Sequence, residues 1–271
     1  MFALSLGISL NSVLPQMSWE YLECLAKTPI KTFELNAMMF AADYDGALRM
    51  AFCQMLRDTG KRVFSYHIPF SYLDDISATD ELQRQRALSR FRALLQQAQS
   101  FQVEMLVVHP SAEPVDQSQR GLHTVQLRKS MQELEGELRN AKMRMALEFL
   151  PRLCMGNTLA DMDRFLDGMS ATFGVCQDVN HLMGQYQEIP SIVRTLKEKL
   201  ITLHISDYDG VDERHWLPGQ GVIDWKAFVC ALQMINYSGP FNYEIKINVE
   251  KDIPGRLNEI TENFAWMQSL L

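Results

Sequence analysis

Residues 171–182 read ATFGVCQDVNHL, a short strand-like apolar run from Phe173 to Cys176 that stops on a carboxylate, Asp178, with an imidazole, His181, three positions later. A strand that ends on two metal-capable groups raises the question of how the other strands end. Outward from it, similar runs recur as FALSLGI (2–8), KTFELN (31–36), RVFSYH (62–67), EMLVVH (104–109), RMALEF (144–149), FGVCQD (173–178), LITLHI (200–205) and FNYEIK (241–246). Between them lie stretches with apolar residues at helical spacing, such as Leu82, Leu88, Phe91, Leu95 and Ala98, with charged opposite faces. Charge-rich segments such as RQRALSRFR are read as solvated helix faces. Eight strands alternating with helices, with no linker between them, predict an α/β chain folded as one (β/α)8 TIM barrel over 1–271. An open doubly wound sheet is the alternative, weakened because no glycine-rich phosphate loop follows the first strand.

Composition narrows the functional classes. The chain has 271 residues, 47% of them hydrophobic, and can bury a substantial core. Its net charge of -7 argues against a nucleic acid or an anionic membrane as the main partner. The N-terminal MFALSLGISLNSVLP lacks a basic leader and reads as a first strand, and no segment reaches the roughly 18 apolar residues of a membrane span. The five cysteines, at 24, 53, 154, 176 and 230, show no metal-finger spacing and read as free thiols in a reducing, cytoplasmic setting.

In a barrel of this kind, the residue that closes each strand lies at the mouth where active sites are built. Seven of the eight runs carry a titratable group there: Glu34, His67, His109, Glu148, Asp178, His204 and Glu244. The residues two positions earlier, Thr32, Ser65, Val107, Ala146, Cys176, Thr202 and Asn242, are mostly small enough to fill a barrel interior. Any one of the seven has an ordinary structural reading, as a packed histidine or a helix-capping acid. Together they would crowd uncompensated charge into one mouth, at a desolvation cost that a cation offsets. A mixed oxygen and nitrogen donor set suits Mn²⁺, Co²⁺, Fe²⁺ or Zn²⁺. Glu148 and Glu244, on different strands, form a pair able to remove a proton beside a carbonyl and return it elsewhere, which is isomerase or epimerase chemistry.

The motifs SYHIPF, VVHPS, MALEF, QDVNH, LHISD, HWLPGQGVIDW and NYEIK occur in this order. As a set they resemble the xylose isomerase-like superfamily of metal-dependent barrels, which holds sugar isomerases and epimerases and the apurinic-site endonucleases. Similarity to the ketose 3-epimerase branch implies Glu148, Asp178, His204 and Glu244 as metal ligands, with the two glutamates also exchanging protons. It implies His181 and Arg214 as groups that hold substrate oxygens, and an assembly of two or four chains. His67, His109 and Glu34 join the substrate-facing set, as does Lys246, two residues beyond Glu244. On the endonuclease branch, with three zinc ions, the same positions match ligands together with Glu213 and His215, so His67, His109, His181, Glu213 and His215 form a possible second metal site. SLGISLNS lacks that branch's histidine-rich start. In DERHWLPGQGVIDW, Gly219 and Gly221 predict tight turns that bring Arg214 and His215 over the mouth, with Asp224 capping a helix from Trp225.

The expected function is therefore metal-dependent isomerisation or epimerisation of a small sugar, sugar phosphate or keto-polyol through an enediolate. The alternatives are dehydration of a keto sugar, multi-zinc phosphodiester hydrolysis at abasic sites, and a barrel that binds a sugar without turnover.

Overall fold

The computed structural model describes residues 2–271. Eight parallel strands form the central sheet: β1 (Ser5–Ser9), β2 (Thr32–Asn36), β3 (Arg62–His67), β4 (Met105–Val108), β5 (Arg144–Glu148), β6 (Phe173–Asp178), β7 (Leu200–His204) and β10 (Pro240–Tyr243), the last pairing with β1. The ring closes where Ile205 N donates to Asn242 O (2.8 Å) and Glu244 N donates to Ile205 O (3.0 Å). The chain therefore forms a (β/α)8 barrel, with α1 (Trp19–Lys27), α2 (Ala47–Thr59), α3 (Glu81–Ser100), α4 (Arg120–Ala141), α5 (Leu159–Leu166), α6 (Ile189–Leu196), α7 (Trp225–Met234) and α8 (Ile253–Ser269) outside it.

Five of the helices, α1, α3, α5, α7 and α8, begin where an N-cap side chain supplies an oxygen for an unpaired N–H group. Asp80 accepts from Gln83 N (2.8 Å) at α3, and Asp224 from Ala227 N (2.9 Å) at α7. Inside the ring, Phe64, Met105, Val107, Ala146, Cys176 and Ile201 make a separate apolar plug. Thr32, Ser65, Thr202 and Asn242 are buried with it, so the row two residues below the strand ends fills the interior as the sequence implied.

Two boundaries shift, and both matter for the site. The first strand begins at Ser5, past the start of FALSLGI. The last strand ends at Tyr243, before the acid in FNYEIK. Glu244 N still bonds to the ring, but beyond it the backbone leaves and Lys246 N donates to His215 O (2.7 Å). Strand alternation no longer applies there, so the expectation that Lys246 shares the inward side of Glu244 fails.

The loop after β7 carries a hairpin that periodicity did not show, β8 (Asp207–Tyr208) paired with β9 (Glu213–Trp216). Buried Asp207 organises it, accepting from Tyr208 N, Gly219 N (2.7 Å), Ile223 N (3.3 Å) and Trp225 Nε1 (2.9 Å). Gly219 takes the left-handed φ of +91 that glycine tolerates. Gly221 is needed for a different reason, since a Cβ there would lie 2.1 Å from Tyr208 O. Replacing Asp207 with Ala strands several buried donors and should lower unfolding free energy by about 3 kcal/mol; a chemical denaturation midpoint within error of wild type would contradict this account.

Candidate active site at the barrel mouth

The strand ends converge as the sequence required. Glu148, Asp178, His204 and Glu244 each offer one ligand atom, and the four atoms lie within 4.8 Å of one another. His204 is the hub. Its Nδ1 lies 2.8 Å from Glu148 Oε1, 2.6 Å from Glu244 Oε2 and 3.9 Å from Asp178 Oδ2. The two glutamates come from β5 and from just past β10, well apart around the ring, and approach the same nitrogen.

The other face of the imidazole, Nε2, lies 3.2 Å from Glu34 Oε2, which also accepts from Ser65 Oγ at 2.7 Å. Glu34 is fully buried. It sits beneath His204 and orients the ring, as carboxylates do behind metal-binding histidines; it does not face a substrate.

Around this set lie the remaining imidazoles. His67 Nε2 and His109 Nε2 lie 3.0 and 3.1 Å from Glu148 Oε2, and these three residues form a second candidate group. Asp178, His181 and His215 form a third. His181 Nδ1 faces Phe149 O at 2.9 Å, and its Nε2 lies 3.6 Å from Glu213 Oε2. Five of the chain's six histidines thus meet at one mouth.

The hairpin residues divide. His215 reaches the cluster, its Nδ1 at 3.2 Å from both Ser206 Oγ and Glu244 O. The Asn180 side-chain oxygen, in the orientation that satisfies its neighbours, accepts from His215 N at 2.8 Å. Arg214 turns outward to Asp209, with Nε to Oδ2 at 2.8 Å. Lys246 is exposed and forms no ion pair among the described residues.

Three neighbours have roles that the strand-end pattern did not single out. Arg152, isolated in the loop after β5, pairs with Asp212 (2.9 Å) and Glu213 (2.8 Å) and ties that loop to the hairpin. Phe70 stacks on His109 with centroids 4.2 Å apart and planes 9° from parallel. Asp207 holds the hairpin as described above. Arg152 and Phe70 meet partners more than 30 residues away, and Asp207 depends on the path of its loop into α7; strand periodicity encodes neither.

The electrostatics fit a cation. Asp178 Oδ1 accepts from Asn180 N (2.8 Å) and His181 N (3.2 Å), while its Oδ2 is buried with no hydrogen-bond partner. Burial raises the Asp178 carboxyl, and His181 and His215 offset that only in part. Burial acts to raise Glu148 too, but His204 and His109 hold it well below the usual carboxylate range. Glu244 is held down at about 2, burial opposing and His204 prevailing. Burial pushes the Cys176 thiol far up, and this residue packs the interior with Val107 and Ala146. An oxygen-rich set with one imidazole and one orphaned carboxylate oxygen fits Mn²⁺, Co²⁺, Fe²⁺ or Zn²⁺.

A parallel barrel with a buried carboxylate and imidazole mouth defines a class of protein, and comparison places the chain within it. Residues 22–270 match the family described as xylose isomerase-like TIM barrel, and the chain belongs to that family. A D-psicose 3-epimerase, solved in the presence of D-fructose, superposes with a TM-score of 0.84 at 18% identity, covering 99% of each chain. The IOLI protein with a bound zinc atom gives 0.85 at 16% identity, covering 98% of each. Among curated sequences, the uncharacterized protein y4fM of Sinorhizobium fredii (strain NBRC 101917 / NGR234) is 30% identical over 117 residues, 43% of this chain. The match spans 38% of that relative's length.

Burial opposes protonation of His67, but hydrogen bonding and charge from Glu148 prevail and hold it at about 9. Its folded value exceeds the unfolded one of ~6.5, so this stabilisation is complete below pH ~6.5 and lost as pH rises through about 9. Metal-free protein should therefore melt at lower temperature at pH 9 than at pH 6.5. Added divalent ion should oppose that trend, because ligands bind deprotonated. Melting curves at both pH values with and without the ion check this, and a metal-free protein no less stable at pH 9 would contradict it.

Proposed function

We propose that the protein is a metal-dependent isomerase or epimerase of a sugar ketone, working through an enediolate. The observation that carries this reading is the convergence of Glu148 and Glu244 on one point from separated strands. The fold likeness to a D-psicose 3-epimerase supports it.

A divalent cation held by Glu148, Asp178, His204 and Glu244 would supply positive charge for the developing oxyanion. One glutamate takes the proton from the carbon beside the carbonyl, and the electron pair of that C–H bond moves into the enediolate. A proton returned to the same carbon on the opposite face, from the other glutamate, gives the epimer; one returned to the neighbouring carbon gives the isomer. Glu244 is the more accessible of the two, its side chain 20% exposed against 1% for Glu148. Glu34 keeps His204 oriented, and His181 and His67 border the space where substrate oxygens would lie. His204, Glu148 and Asp178 are fully shielded from bulk water, which strengthens each electrostatic contact. Five unpaired cysteines suit a reducing cytoplasm. No helix among the described residues is long and apolar enough to cross a membrane.

A second reading has its own observation. The His67, His109, Glu148 group and the Asp178, His181, His215 group could hold further ions, as multi-zinc hydrolysis of a phosphodiester needs. Metal content of protein purified without chelators separates the two, about one ion per chain supporting the sugar reading and two or three zinc ions the hydrolytic one.

Replacing either Glu148 or Glu244 with Gln should reduce solvent-deuterium incorporation into ketose substrates by at least ~100-fold. Proton exchange by both variants at the wild-type rate would refute the two-glutamate mechanism.

A further inference from the structure

Beside the cluster, a cavity of about 390 Å³ opens between the loops after β2 and β3 and takes Glu244 and His67 as part of its wall. Its size falls in the ligand-pocket range of ~300–1,000 Å³. The wall away from the cluster is Ala37, Met38, Ile68, Pro69 and Phe70, with Ser71 the one polar residue among them, its Oγ given to Asp74. Met38 and Phe70 are each 59% exposed and both line this one cavity. The Phe70 ring is fixed on one side by its stack on His109.

The polar groups of this cavity are neutral apart from Glu244 and His67. Asn11 and Asn36 border it, and their side-chain oxygens are taken by Ser9 Oγ and Met38 N, so the amide nitrogens are left to meet hydroxyls. His67 has both ring nitrogens engaged, Nε2 by Glu148 and Nδ1 by Ile68 O at 3.0 Å. The cations of the mouth are committed elsewhere: Arg152 to Asp212 and Glu213, Arg214 to Asp209. Lys246 lines a different groove, with His215 and Leu217. A phosphate in the cavity would face the Glu244 carboxylate with no lysine or arginine to receive it.

We infer that the substrate is an uncharged keto-sugar bearing a bulky apolar substituent, an aryl glycoside, with the aryl group lodged between Met38 and Phe70. This rests on the sugar-ketone reading above and narrows it. The ring ketone lies at the cluster, the hydroxyls meet the Asn11 and Asn36 amides, and the aglycone covers the apolar wall. Aromatic and methionine side chains receive such groups well, by stacking and by adaptable packing.

The test compares three derivatives of one ring ketone: its methyl glycoside, its phenyl glycoside and a phosphate ester. Wild-type kcat/KM should favour phenyl over methyl by at least about tenfold, with the phosphate ester poorest. Phe70→Ala and Met38→Ala should each shrink the phenyl-to-methyl ratio. Equal values for phenyl and methyl, or a preference for the phosphate, overturn the inference while leaving the epimerase reading in place. Calorimetric binding to Glu244→Gln, in which proton transfer is blocked, gives a readout independent of turnover. If no ketone exchanges protons but the phenyl glycoside binds more tightly than the methyl one and Phe70→Ala removes the difference, the inference stands and the epimerase reading falls. Equal affinity, or no measurable binding of either, overturns the inference.

Discussion

The constraint on which the rest of the structure depends is the burial of opposite charges around His204. Glu34, Glu148, Asp178 and His204 are all 1% exposed or less, in a setting where an unpaired charge is costly. His204 answers this by meeting carboxylates on both nitrogens, Glu148 and Glu244 at Nδ1 and Glu34 at Nε2. His67 and His109 reach Glu148 as well, yet Glu34 Oε1 and Asp178 Oδ2 are left with no hydrogen-bond partner. That shortfall, built into a close-packed ring, is the physical argument for a cation. The same shortfall makes the geometry suitable for chemistry in which carboxylates hold and release protons.

The barrel makes such a cluster tolerable by separating layers. An apolar plug of Phe64, Met105, Val107, Ala146, Cys176 and Ile201 fills the ring, and the polar groups stand together at one end. Parallel strands bring every carboxyl end to that face, so each strand needs to contribute only one group. The hairpin after β7 then covers the mouth, held by Asp207 from beneath and by Arg152 from the neighbouring loop. Since these anchors are buried or paired, His215 is delivered to the cluster by a fixed path, while Arg214 is held outside by Asp209.

The mouth is consequently asymmetric. On the hairpin side, charges are numerous and already paired. On the side of the β2 and β3 loops, Met38 and Phe70 leave apolar surface open beside Glu244. A ligand that spans both would present oxygens to the cluster and carbon to the loops, which is the amphiphilic character of a substituted sugar.

Much of this is written in the sequence because strand period and strand ending are local properties. Alternation placed Thr32, Ser65, Ala146 and Cys176 in the interior, and the runs themselves identified Glu148, Asp178 and His204 as groups at one mouth. The turn glycines and the Asp224 cap were legible for the same reason. What the tertiary structure alone decided depends on how the ring curves and where chains leave it. Glu34 differs in no local way from Glu148, yet it lies under His204 because it reaches that ring from the far side of the barrel. Lys246 follows the alternation of its neighbours in sequence but lies outside the cluster, because the backbone leaves the ring after Glu244 and Lys246 N bonds instead to His215 O of the hairpin. Phe70 on His109 and Arg152 on Glu213 join residues distant along the chain. Sequence determined which groups reach the mouth, since side-chain direction is set within a strand; only the closed ring determined which face each other, since that is set by register and loop path.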